Sequence, residues 1–270
     1  MNEMNRILLK LSTYPEVDAI AIGGSRATNR YDDSSDYDVY VYLNHDLREE
    51  IRTRILAPEC SHLEIGNHFW ELEDNGTLNC GTDFDIVYRD SNAFTEEVAD
   101  VVERNRLHNS YTTCFWHNLM TCQIIHERNE MLSNLKKRFK VAYPKKLKLE
   151  IIKNHTRLLH GNTPSYDMQI KKAMMRDDYV SINHRVTEFL ATYFDLLFAL
   201  NETYNPGEKR LASIAKATCS KLPKDFETDM EQLFAHMYSK EVGGIIDRMV
   251  ASMLELVREE MTNEKIDFNC

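Results

Sequence analysis

Apolar residues recur three or four positions apart over Met4–Leu11, a spacing that predicts a helix. They then run almost unbroken through VDAIAIGG (Val17–Gly24), which predicts a buried strand ending in a turn. DYDVYVYL (Asp36–Leu43) and TDFDIVYR (Thr82–Arg89) alternate with period two, as strands with different environments on their two faces do. DLREEIRTRIL (Asp46–Leu56) has the period of an amphipathic helix. Cys60–Asp74 is expected to hold one or two short strands, with Asp74-Asn75-Gly76 as a turn. Helices are expected near Ala93–Arg106 and Thr113–Met120, then a short strand near Cys122–His126.

After Glu130 the pattern changes, and from Lys145 onward nearly every segment has a helical period. Val186, Phe189, Leu190, Tyr193, Phe194, Leu197 and Leu200 form the clearest core-facing stripe. Asn205-Pro206-Gly207, Leu222-Pro223 and Gly243-Gly244 punctuate the helices. The expected fold class is α+β: a domain over 1–142 built on a small mixed sheet with flanking helices, then a helical bundle over 143–270.

Composition narrows this little. A chain of 270 residues with 43% hydrophobic and 28% charged residues is an ordinary globular sequence. It shows neither a membrane-spanning apolar stretch nor a signal-peptide pattern at its start, and six scattered cysteines suit reduced thiols, so a cytoplasmic location is expected. The formal net charge of −10 argues against a general nucleic-acid binder and would favour the approach of a cationic small substrate. Oligomeric state is not legible.

The chemistry lies in GGSRATNRYDDSSDYDVYVY (Gly23–Tyr42). A strand that ends in Gly-Gly-Ser and enters a helix offers backbone N–H groups to a phosphate, and glycine permits close approach. Ser25 can add a hydroxyl and Arg26 a positive charge. Asp36 and Asp38, two residues apart on a strand, share one face at a repeat of about 6.6 Å. Such a pair is costly unless it shares a divalent cation, and Mg²⁺ prefers oxygen ligands while leaving positions for substrate phosphates. TDFDIVYR supplies a third acid from Asp83 or Asp85. A phosphate-cradling turn, a carboxylate pair and a third strand acid together suit nucleotidyl transfer on two metal ions.

Gly-Ser, ten residues, then Asp-x-Asp closely resembles the signature of the DNA polymerase β-like nucleotidyltransferase superfamily, which includes the aminoglycoside and lincosamide nucleotidyltransferases. DIVYRD (Asp85–Asp90), Tyr111–Asn129, Ser165–Val186 and FALNETYNPGEKR (Phe198–Arg210) also resemble a bacterial nucleotidyltransferase-domain family with a helical C-terminal half. The resemblance implies that Gly24 and Ser25 hold triphosphate and that Asp36 and Asp38 hold Mg²⁺. It puts the third acid, a metal ligand or the base for the attacking hydroxyl, on Asp85, with Asp83 as runner-up. It further implies that a lysine of the helical half, Lys209, meets the triphosphate, with Tyr204 and Arg210 as weaker neighbours. Many relatives carry a glycine where this chain has Asn29, a residue that tolerates left-handed backbone.

The expected activity is transfer of a nucleoside monophosphate, AMP from ATP or another nucleotide from its triphosphate, onto a hydroxyl of a small, cationic, aminoglycoside-like acceptor. Two Mg²⁺ ions assist in the cleft between the domains, and pyrophosphate is released. The alternatives are a protein adenylyltransferase and a non-catalytic nucleotide-binding module. Cys114-x2-His117-x4-Cys122 lacks a convincing fourth zinc ligand, so buried thiols and a packed histidine are expected there. Trp70, Phe115 and Trp116 are expected in the core, His184 and Arg185 on a helix surface, and Arg176, Asp177 and Asp178 on either a helix surface or a cleft wall.

Overall fold

The near-continuous apolar run of Val17–Ile22 (β1) becomes an inner strand, with Val17, Ala19, Ile20 and Ala21 buried. The computed structural model describes residues 2–27, 35–69, 71–161 and 163–263, apart from the side chains of Ser25 and Asn263. Asn29, Trp70 and Cys270 therefore lie outside the described residues. The described chain divides into two compact units, 1–100 with 118–141, and 101–117 with 142–270.

The first unit opens with helix α1 (Glu3–Leu11). Asn2 caps it by accepting from the Asn5 N–H at 2.8 Å, and Met4, Ile7, Leu8 and Leu11 form its buried face. After β1 comes the single turn α2 (Gly24–Ala27), followed by β2 (Tyr37–Leu43), α3 (Glu49–Leu56), β3 (Cys60–Asn67), β4 (Leu72–Leu78), β5 (Asp83–Asp90) and α4 (Ser91–Val102). Asp90 starts α4 by accepting from the Ala93 N–H at 2.7 Å. Then come α5 (Cys114–Thr121), β6 (Gln123–Glu127) and α6 (Met131–Phe139).

The six strands form one mixed sheet in the order β3-β4-β5-β2-β1-β6, in which only β2 and β5 run parallel. Alternation sorts the sheet into two faces. Ile20, Val39, Val41, Phe84, Ile86 and Leu78 pack with Met4, Ile7 and Leu11 of α1 and with Ile55 and Leu56 of α3. The opposite face carries Asp38, Tyr40, Tyr42, Asp83, Asp85, Glu73 and Asn75.

One local expectation fails. Asp74-Asn75-Gly76 lies within β4 and is not a turn. Asp74 is fully buried, ion-paired to Arg52, and accepts from the Gly66 N–H at 2.9 Å. Gly76 lies so close to β3 and β5 that an added Cβ would stand 2.9 Å from the Phe84 ring. Tertiary partners outweigh the local turn preference of these three residues.

The second unit contains α7 (Lys145–Leu159), α8 (Tyr166–Met174), α9 (Tyr179–Leu200), α10 (Leu211–Thr218), α11 (Phe226–His236) and α12 (Val242–Asn263). The predicted stripe of α9 is its spine. Val186, Phe189, Tyr193, Phe194, Leu197 and Leu200 are buried, and Leu190 packs against them half-buried. Asp178 caps α9 by accepting from the Ser181 N–H, while His184 and Arg185 lie on its exposed surface. A fully enclosed carboxylate, Asp195, accepts from the Thr112 N–H (3.0 Å) and hydroxyl (2.6 Å), His155 Nε2 (2.8 Å) and Asn205 Nδ2 (2.8 Å). These four bonds tie segment 101–117, α7 and the loop after α9 to the spine. They also satisfy a buried charge that would otherwise be strongly destabilising.

Among the described residues no helix is long and apolar enough to cross a membrane.

Candidate active site

The parallel pairing of β2 and β5 sets Asp38 directly beside Asp85. Asp36 stands just before β2, two residues ahead of Asp38. Each of the three carboxylates offers an oxygen within 4.8 Å of the others, and all three are half-buried. Among the described residues this is the one cluster of three or more acidic, histidine or cysteine side chains spaced to hold a metal ion. Cys114, His117 and Cys122 form no such group. Burial lowers the His117 pKa and raises that of the Cys122 thiol, which favours their neutral forms.

The Gly-Gly turn is shaped around the acid pair. Gly23 donates its N–H to the Asp38 carbonyl at 2.8 Å, and Ala27 closes the turn on the Gly23 carbonyl at 3.1 Å. Gly24 takes a left-handed φ of +59°, and a Cβ there would overlap the Asp38 carboxylate. A side chain at Gly23 would likewise run into the Tyr40 ring. Glycine is therefore favoured at position 24 by its backbone angle, and any side chain there would have to displace the Asp38 carboxylate. Arg26 is committed to the same corner. Its guanidinium donates to the carbonyls of Ser35 (2.5 Å) and Asp36 (2.8 Å) and lies 3.9 Å over the Tyr37 ring, so a positive charge borders the acids and fixes the entrance to β2.

Asp83 shares a face with Asp85 but stands apart from the triad. It is exposed, and its carboxylate accepts from the Thr77 hydroxyl at 2.7 Å. Asp85 accepts from Asn75 Nδ2, also at 2.7 Å. Burial, with the Asp85 charge nearby, raises the pKa of Glu73 on β4. Further along the same face Arg89 is 7% exposed and grips Glu71 through two bonds of 2.8 and 2.7 Å. It donates a third to Asn118 and lies 4.3 Å over the Tyr40 ring. Burial opposes the Arg89 charge, but the bonds and charge of Glu71, together with the neighbouring Tyr42 and Tyr40, outweigh it and raise its pKa further. The local sequence did not disclose Asn75, Glu73 or the Arg89–Glu71 pair. Asn75 was hidden by its turn-like neighbours, and the signal that would have found it is its register opposite Asp85 across β4 and β5.

In the second unit, the loop after α9 carries the other predicted site residues. Tyr204 packs its ring 4.6 Å from that of Trp116, which is buried as expected. Asn205 is buried, donating its N–H to Thr113 and its amide to Asp195. Lys209 and Arg210 are exposed, and Arg210 adopts a left-handed φ of 57° ahead of α10.

The donor set of Asp36, Asp38 and Asp85 fits a hard divalent cation: three convergent carboxylate oxygens, half-buried. With a close-approach glycine turn beside it, such a cluster can bind a metal–phosphate group.

A family model described as a nucleotidyltransferase domain matches residues 2–157, and one described as a domain of unknown function (DUF4037) matches residues 111–211. Among solved structures the chain is similar to a nucleotidyltransferase-like protein from Exiguobacterium sibiricum, at 15% identity over 97% of this chain and 76% of that one, with a TM-score of 0.45. It is also similar to an aminoglycoside 6-adenyltransferase from Bacillus subtilis, at 9% identity over 100% and 94% of the two chains, TM-score 0.33. A third is a spectinomycin adenyltransferase from Enterococcus faecialis with ATP and spectinomycin, at 10% identity over 93% and 98%, TM-score 0.33. No curated protein matches the sequence significantly.

Proposed function

This chain belongs to the nucleotidyltransferase domain family, and from that premise we propose that it moves AMP from ATP onto a hydroxyl of a small cationic acceptor with Asp36, Asp38 and Asp85 as its metal ligands. The observation that carries the assignment of these residues is the convergence of the three carboxylates beside a glycine turn that tolerates no side chain.

Nucleotidyl transfer joins an acceptor oxygen to the α-phosphorus, breaks the bond from that phosphorus to the bridging oxygen, and releases pyrophosphate. Asp36 and Asp38 would hold a divalent metal. Mg²⁺, when bound there, neutralises charge that develops on the attacking and leaving oxygens. Asp85 completes the ligand set and takes the proton of the acceptor hydroxyl. Gly24 gives the triphosphate a backbone it can approach closely, with Ser25 beside it, and Arg26 holds the start of β2 so that Asp36 stays in place. Lys209 supplies an ammonium to the triphosphate, with Tyr204 and Arg210 as its neighbours. A cationic acceptor is supported by the net charge of −10 and by Glu73 and Asp83 on the same sheet face as the triad.

The test is a pyrophosphate-release screen of the full chain with Mg²⁺, each of the four common nucleoside triphosphates, and a panel of aminoglycosides, lincosamides and neutral polyols. ATP with a cationic acceptor should give the highest rate. Release only with a protein fraction, together with an added AMP mass on a protein, would assign the acceptor to a protein side chain instead.

A further inference from the structure

Asp85 does not stand alone on its strand. Asn75, directly opposite on β4, donates its amide N–H to Asp85 Oδ1 at 2.7 Å. The other end of that amide is also committed, because Asn75 Oδ1 accepts from Asn67 Nδ2 on β3 at 2.6 Å. Asn67 Nδ2 is itself within 3.1 Å of Glu64 Oε2. A chain of side-chain amides therefore crosses three neighbouring strands and ends on one member of the acid cluster.

The direction of this chain matters. A half-turn of the Asn75 amide would set its oxygen against the Asp85 carboxylate and its nitrogen against the Asn67 donor, losing both bonds together. The donor facing Asp85 is thus fixed by its own neighbour. Asp83 offers a built-in contrast. It is served from the same strand by Thr77 at 2.7 Å, but a hydroxyl rotates freely and no relay stands behind this one among the described hydrogen bonds. Of Asp83 and Asp85, the one that joins Asp36 and Asp38 is the one whose donor is held in place.

We propose that Asn75 is a positioning residue for the metal site. Its amide sets the rotation of the Asp85 carboxylate, and Asn67 sets the amide. This rests on the reading of Asp36, Asp38 and Asp85 as metal ligands. Partners that orient metal ligands in this way typically contribute a factor of about 10 to 100 in metal affinity or activity.

The experiment measures Mn²⁺ binding to the full chain by electron paramagnetic resonance, without nucleotide, for wild type, Asn75→Ala, Asn75→Asp, Asn67→Ala, Thr77→Ala and Asp85→Asn. Asn75→Ala should weaken Mn²⁺ binding by about 10- to 100-fold. Asn75→Asp, which keeps the size and replaces the donor with an acceptor, should weaken it too. Asn67→Ala should weaken binding less, in the same direction, and Thr77→Ala should leave it unchanged. Wild-type affinity in Asn75→Ala, with affinity lost in Asp85→Asn, overturns the positioning role and leaves the metal site standing. Wild-type affinity in Asp85→Asn overturns the reading of the site itself. If Asn75→Ala fails to fold by circular dichroism, Asn67→Ala decides, and unchanged affinity there overturns the relay.

Discussion

Replacing Gly24 by alanine adds one carbon at the point where the turn meets the acid pair. The new Cβ would overlap the Asp38 carboxylate and stand 2.8 Å from its Cγ and 3.3 Å from its Cβ. Two costs follow, and they act on different observables. The first is conformational: alanine at φ +59° pays about 1–2 kcal/mol for the left-handed backbone. At about 4 °C per kcal/mol for a unit between the 100- and 150-residue sizes, the melting temperature should fall by several degrees. The second is functional: the Asp38 side chain must swing away, and a displacement of about 1 Å at a reacting site costs on the order of 100-fold in rate. Gly81→Ala is the matched control. Gly81 has φ +90°, but no heavy atom lies within 4 Å of its would-be Cβ, so that variant pays a backbone cost and displaces no carboxylate. Thermal unfolding and Mg²⁺-dependent pyrophosphate release should therefore separate the two, with similar loss of stability in both and loss of turnover in Gly24→Ala alone. Equal turnover in the two variants would refute the link between the turn and the acid pair.

Asp85→Asn should abolish turnover, whereas Asp83→Asn should keep most of it, because Asp83 is exposed and bonded to Thr77 outside the cluster; steady-state kinetics on both variants checks this. Arg89→Met leaves Glu71 without its bidentate partner and should cost about 3 kcal/mol by urea denaturation, near the low end for broken buried pairs because Glu71 keeps some solvent. In the second unit, burial raises the pKa of Glu260, but the ammonium groups of Lys148 and Lys221 outweigh it and bring the carboxyl below its usual range. The stabilisation this gives is complete above the unfolded carboxylate pKa of about 4.3 and is lost as pH falls through the lower folded value. A stability–pH profile of Glu260→Gln should accordingly be flatter than wild type as pH falls from about 4.3 through the lower folded value.

The features that sequence reading located share a physical trait: their local geometry follows from neighbours close in the chain. The glycine turn is marked by its own residues, and the Asp36–Asp38 spacing and the α9 stripe are consequences of local geometry with period two and 3.6. The choice between Asp83 and Asp85 was not of this kind. From β5 alone the two acids are equivalent, and only the parallel register with β2, which sets Asp38 against Asp85, brings one of them into the cluster. Asn75 was concealed more deeply, since Asp-Asn-Gly is a strong turn signal and its strand conformation rests on Arg52, Gly66 and Phe84, which are distant in sequence. The anchoring of the 204–210 loop was equally hidden, because Asp195 looks like a misplaced charge in an apolar helix until Thr112, His155 and Asn205 converge on it.

The central claim is that Asp36 and Asp38 hold the metal on which nucleotidyl transfer depends. It is tested most directly by pyrophosphate release from the Asp36→Asn/Asp38→Asn variant beside wild type, at saturating Mg²⁺ and ATP with the best acceptor from the screen. The account predicts turnover in wild type and none in the double variant, with both chains folded by circular dichroism. Wild-type turnover in the folded double variant would contradict it.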